Sequence, residues 1–140
     1  MIFLESKNIK YTCLNLDDQN RISTSDNRLL RRIIRDNRHR GNDVNYSLKK
    51  WASVRLGEEK NIFPFQDEAD VIFNSSLIYE IGVLKTYVEP LLYSVDMDSP
   101  YYEEAKRLIN MLKMFLPIPS DDIPKDSILR EFIGGGCFRQ

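Results

Sequence analysis

Cysteine is scarce in this chain: only Cys13 and Cys137 occur. Two thiols make no disulfide framework, and neither sits in a zinc-ligand spacing, so both read as reduced thiols of a cytoplasmic protein. Histidine occurs once, at His39. A single imidazole with no partner in the sequence makes a poor catalytic base and excludes a histidine-built metal centre. Long apolar runs are missing as well. No stretch approaches the ~18 residues of a membrane span, and Glu5, Lys7 and Lys10 interrupt the only candidate for a leader. Nor does charge of one sign accumulate. Lys plus Arg number 20 against 21 Asp plus Glu, for a net charge of −1, which excludes a globally basic nucleic-acid binder and leaves room for a local patch.

What is present suits one domain: 140 residues, 42% hydrophobic and 29% charged. Ile2-Phe3-Leu4 and Tyr11-Thr12-Cys13-Leu14 are short β-like runs, and residues 15–27 have loop composition ending in candidate helix caps. A helix is expected from about Asp26 to Arg38, stopped by Gly41, and a second from Val44 to Asn61, weakened at Gly57 and closed by Pro64. Residues 69–74 read as a buried strand, and Leu77 to Val83 fits strand or helix. Thr86 to Val95 is helical in pattern if Pro90 lies early or kinks it. Ser99 and Pro100 open a further helix, with Glu103 and Glu104 in its first turn. Ser127 to Ile133 is a short segment ended by three glycines. The pattern is a helix-rich α/β chain with few strands.

One stretch carries chemistry. Arginines stand at 28, 31, 32 and 35, offsets that fall on one face of a helix, opposite Leu29, Leu30, Ile33 and Ile34. Like charges at i,i+4 destabilise a helix by a few tenths of a kcal/mol per pair, and acids nearby in sequence are few. A guanidinium is a planar fork that matches phosphate oxygens in bidentate fashion, so the row suits a polyphosphate. Residues 26–43 hold no aromatics for base stacking, which favours a nucleotide over single-stranded nucleic acid. Trp51 and the tyrosines 79, 87, 93, 101 and 102 read as packing residues. The acid pairs Asp17-Asp18, Glu58-Glu59 and Asp121-Asp122 read as surface acids rather than metal ligands.

At this helix the sequence resembles a family. The sixteen residues Asp26 to Gly41 follow the pattern D-x-R-L-x-R-R-x-x-R-D-x-x-x-R-G, which is similar to the lid region of the uridine kinase and phosphoribulokinase-like kinases. Residues 63–74, with Ala69-Asp70-Val71-Ile72, resemble the approach to that family's late core strand. Trp51-x-Ser53-Val54-Arg55, Gly57 to Lys60 and Ser127 to Gly135 look like a bacterial branch that carries threonyl-tRNA-synthetase-like N-terminal modules.

The resemblance implies the C-terminal part of a P-loop kinase fold. Residues 1–25 are then a strand and loop lead-in, 26–41 the lid helix, 42–68 a helix, and 69–140 the late strand and C-terminal helices. It implies transfer of the γ-phosphoryl of ATP, with Mg²⁺, to the hydroxyl of a uridine-like nucleoside. Arg31, Arg32 and Arg35 would act in catalysis by stabilising phosphoryl charge, and Arg28, Arg31, Arg35 and Arg40 would hold ATP. Asp36 is expected to orient Arg32 or Arg40. Two departures stand out. Asn42 replaces the arginine that often follows Arg-Gly, and no G-x-x-x-x-G-K-[ST] occurs, so these 140 residues alone are expected to be inactive. Apolar Ile72, Phe73 and Leu77, deprived of sheet neighbours, would favour a homo-oligomer. The reading from pattern alone that stands beside this one is a non-enzymatic module binding an anion, RNA or a protein.

Overall fold

The computed structural model describes residues 23–68 and 77–137. Its helices are α1 (Thr24–Arg40), α2 (Val44–Asn61), α3 (Glu80–Tyr93), α4 (Tyr102–Leu112) and the short α5 (Arg130–Ile133), with a 3-10 helix over Phe63–Glu68 after α2. No strand occurs among the described residues. The β-like runs expected at 2–4, 11–14 and 69–74 lie outside them, as do Cys13, Asp17, Asp18, Ile72 and Phe73.

Local chemistry places the ends of α1. The Ser23 hydroxyl accepts from the Ser25 amide at 3.2 Å, Asp26 lies in the positive first turn, and Arg38, His39 and Arg40 lie in the negative last turn. Gly41 then adopts φ 63°, a left-handed stop that glycine takes without steric cost, and its amide returns to the Asn37 carbonyl at 3.0 Å. Two residues later, Asp43 Oδ1 accepts from the Tyr46 amide at 2.7 Å and starts α2. With only Gly41, Asn42 and Asp43 between them, α1 and α2 pack as neighbours.

The core is one cluster drawn from every long helix. Leu29, Leu30, Ile33 and Ile34 of α1 meet Ile81, Val83, Leu84, Val88 and Leu92 of α3, which in turn pack on Ala105, Leu108, Ile109 and Leu112 of α4. Leu129, Phe132 and Ile133 close it from the C-terminal side. Thus α1 touches α2, α3 and α5 and is the central helix among the described residues. The helix expected to act as a lid is built into the core, so any closing motion must carry core contacts with it.

Three local expectations are corrected. The ambiguous stretch 77–83 enters α3, which starts at Glu80, six residues earlier than the helix expected from Thr86. Pro90 therefore lies in its last turn and not near its start. Burial decides this: Ile81, Gly82, Val83 and Leu84 are all covered, and a helix buried on every side shows no amphipathic period. After α2 the chain does not simply stop at Pro64 but tightens into the 3-10 helix, which proline tolerates. Ser99 serves the turn before α4, accepting from the Tyr101 amide at 3.2 Å and donating to Asn45 Oδ1 at 2.5 Å, while α4 proper begins at Tyr102.

Candidate functional site

The arginine row faces a groove. Arg28, Arg31, Arg32 and Arg35 all line a space of about 330 Å³ between α1, α2, the 3-10 helix and the α5 segment. Trp51, Val54, Glu58, Ile62, Phe63, Ile128, Glu131 and Phe132 complete its wall. The volume is at the lower end of small-molecule sites. Arg40 is not part of the lining and stands exposed at the end of α1.

The four arginines are not equivalent. Arg28 forms a two-pronged pair with Glu58 of α2, one prong at 2.9 Å between Nη1 and Oε2, and its guanidinium lies 5.9 Å from the Trp51 ring centre. Arg31 is buried, 7% exposed, and bonds Glu80 at the start of α3 through both Nε and Nη2, the latter at 2.7 Å to Oε2. Glu80 is fully buried and also accepts from the Leu77 amide at 3.3 Å. Phe132 stacks on Arg31 with its ring centre 5.4 Å from the guanidinium carbon. Paired and bidentate, these two arginines join α1 to its neighbours.

Arg32 and Arg35 differ. Their described partner is Asp36, whose carboxylate is fully buried and is shared with Arg40. The separations are 3.2 Å from Arg32 Nε, 4.0 Å from Arg35 Nε and 3.0 Å from Arg40 Nη1. Only the Arg40 contact has hydrogen-bond geometry. Arg32 Nε, Arg35 Nε and Asp36 Oδ2 are buried without a hydrogen-bond partner among the described residues. One carboxylate facing three guanidiniums leaves two positive charges unbalanced, and two of those guanidiniums open on the groove.

At its far end the groove is bounded by the C-terminal segment. Arg38 Nη1 donates to the Ile133 carbonyl at 2.6 Å, and His39 Nε2 lies 3.3 Å from the Glu131 carbonyl oxygen. Arg130 donates to the carbonyls of Ser120 at 2.9 Å and Gly134 at 3.2 Å, and to that of Ile123. Gly134 has φ 82°, and a methyl group there would collide with the Arg38 guanidinium, so this approach requires glycine.

The row of arginines was thus legible in the sequence, and the Asp36 carboxylate lies 3.2 Å from Arg32 and 3.0 Å from Arg40. Glu58 and Glu80 were missed as partners, because they lie 30 and 49 residues beyond the arginines they bind. Trp51 and Phe63 also reach the groove from elements other than α1, while Phe132 is buried against Arg31. No protein-family model matches the chain, and neither a curated protein nor a solved structure is significantly similar to it.

Proposed function

We propose that this chain supplies the phosphate-gripping part of an ATP-dependent nucleoside kinase resembling uridine kinase. The observation that carries the reading is the Asp36 cluster: three guanidiniums around one buried carboxylate, with Arg32 and Arg35 open to a groove flanked by aromatic rings. In the complete enzyme a nucleoside hydroxyl oxygen bonds to the γ-phosphorus of ATP while the bond to the ADP oxygen breaks and the hydroxyl proton passes to a general base. Charge on the phosphoryl oxygens is then held by fixed guanidiniums rather than by water that must reorient.

In this reading Arg32 and Arg35 take that role, supported by their opening on the groove, while Arg28 and Arg31 hold the helix that carries them. Among the described residues no group of three His, Cys, Asp or Glu side chains could hold a metal ion, so no role for Mg²⁺ is assigned to them. A homo-oligomer belongs to the same reading, supported by the exposed side chains of Leu56, Ile78, Met97 and Leu116.

Calorimetric titration of ATP into the chain tests this. ATP binding is expected, with no turnover, since no P-loop is present. The double change Arg32→Ala/Arg35→Ala should weaken ATP at least roughly tenfold, a loss of about 1.4 kcal/mol or more, measured on protein that a thermal melt shows to be folded. Unchanged affinity in that variant, or turnover by the chain alone, sinks the proposal.

A second reading has its own observation in Trp51 and Phe63, two partly exposed rings in an arginine-lined groove. They suit a non-enzymatic module that stacks the bases of an RNA single strand. Salt-sensitive RNA binding stronger than that of ATP, lost on Arg32→Ala, would put this reading first.

A further inference from the structure

We infer that the groove grips one doubly charged phosphate group and gains little from the rest of a polyphosphate chain, with Asp36 setting that limit. The inference rests on the anion-binding reading above and adds to it the charge of the ligand. Four arginines on one helix suggest a site for a highly charged anion, but the tertiary structure cancels much of that charge. Arg28 and its neighbour Arg55 face Glu58 and Glu59. Arg31 faces Glu80. On the C-terminal side Arg38 is turned to the Ile133 carbonyl and lies outside the groove lining, while Glu131 adds a carboxylate to the wall. What is left among the described residues is the group of Arg32, Arg35 and Arg40 around Asp36, with an excess of two positive charges.

An anion bound there replaces water at Arg32 and Arg35. A phosphate monoester at neutral pH carries close to two negative charges, which the cluster matches. Each further phosphate would bring charge that meets no uncommitted cation, and it would lie toward Glu58 or Glu131. Asp36 controls the count because its buried carboxylate faces all three guanidiniums and offsets one of their charges. Arg40 contributes from outside the groove, its side chain 58% exposed, and can be changed without altering the groove wall.

The test is titration with inorganic phosphate, pyrophosphate and tripolyphosphate at low salt. Phosphate should bind, and the two longer anions should bind within about threefold of it, where a site that gripped a chain would gain tenfold or more from added charge. Arg40→Gln should weaken phosphate by roughly fivefold through charge alone. Asp36→Asn, if it folds by thermal melt, should favour pyrophosphate over phosphate by about fivefold.

If none of the three anions binds, the anion-binding reading itself is lost. If phosphate binds but pyrophosphate binds tenfold tighter to the native chain, or Arg40→Gln leaves phosphate affinity unchanged, only the charge limit is overturned. The Arg40→Gln arm decides the matter even where Asp36→Asn does not fold.

Discussion

At the scale of single residues, the pairs that hold α1 in place are costly to break. Arg31 and Glu80 are both buried and satisfy each other through two contacts. Taking away Glu80 leaves a guanidinium without its counter-charge in a closed space. Glu80→Ala should therefore destabilise by about 3–5 kcal/mol, read as a lowered urea midpoint, and Arg31→Ala should do the same. This places Arg31 with the framework: loss of binding in its variants must be separated from loss of fold. Two glycines give opposite expectations. A methyl group at Gly82 would lie 2.8 Å from Ile118 Cδ1 and 2.9 Å from the Leu116 carbonyl oxygen, so Gly82→Ala should cost about 1–3 kcal/mol. Gly57 lies inside α2 with nothing within 4 Å of the same position, so Gly57→Ala should raise stability by about 0.4–1 kcal/mol. Thermal midpoints moving in the same direction for both would contradict this account.

At the scale of elements, α1 owes its position to two unlike faces. Its aliphatic face carries Leu29, Leu30, Ile33 and Ile34, all below 5% exposed. Leu30→Ala should cost about 2–5 kcal/mol by removing buried methyl groups and leaving a cavity. Its arginine face is ordered by carboxylates from α2, from α3 and from its own Asp36. The sequence displays the first face in full, because aliphatic residues at helical spacing have one economical use. It displays only half of the second. The guanidiniums are visible in a row, but the acids that meet them are scattered along the chain and look like surface charges until the helices pack.

At the scale of the whole molecule, one surface network spans distant parts of the chain. Arg107 of α4 bonds Asp26 of α1 at 2.8 and 3.0 Å and Glu104 at 2.7 and 2.9 Å. Hydrogen bonding from Arg107 holds the Glu104 carboxyl below its ordinary 4.5, against the opposing effect of burial. Donating hydrogen bonds to Glu104 and then to Asp26 pushes the Arg107 guanidinium up, so it stays charged at any working pH. A carboxyl depressed in the folded state contributes stability above its unfolded value and loses it as the pH falls through the lower, folded one. The contribution should be complete at pH 7 and fade below about pH 4.5. Because the pair is well exposed, its worth is small, about 0–1 kcal/mol. Urea unfolding at pH 7 and pH 3 should show a smaller acid loss for Arg107→Ala than for the native chain, and equal losses would remove Glu104 from the account.

The sequence alone placed α2 at Val44–Asn61 and α1 to within two residues at each end, because caps, a left-handed glycine and apolar spacing act within a few residues of one another. It also determined that arginines share one side of α1. Only the tertiary structure decided which partners those arginines meet, since charge is balanced through space. Glu58 and Glu80 withdraw Arg28 and Arg31 into the framework, and Asp36 leaves Arg32 and Arg35 facing a groove whose aromatic wall comes from three other elements. Helix ends follow from neighbours along the chain, whereas a binding site depends on which distant side chains cancel and which do not.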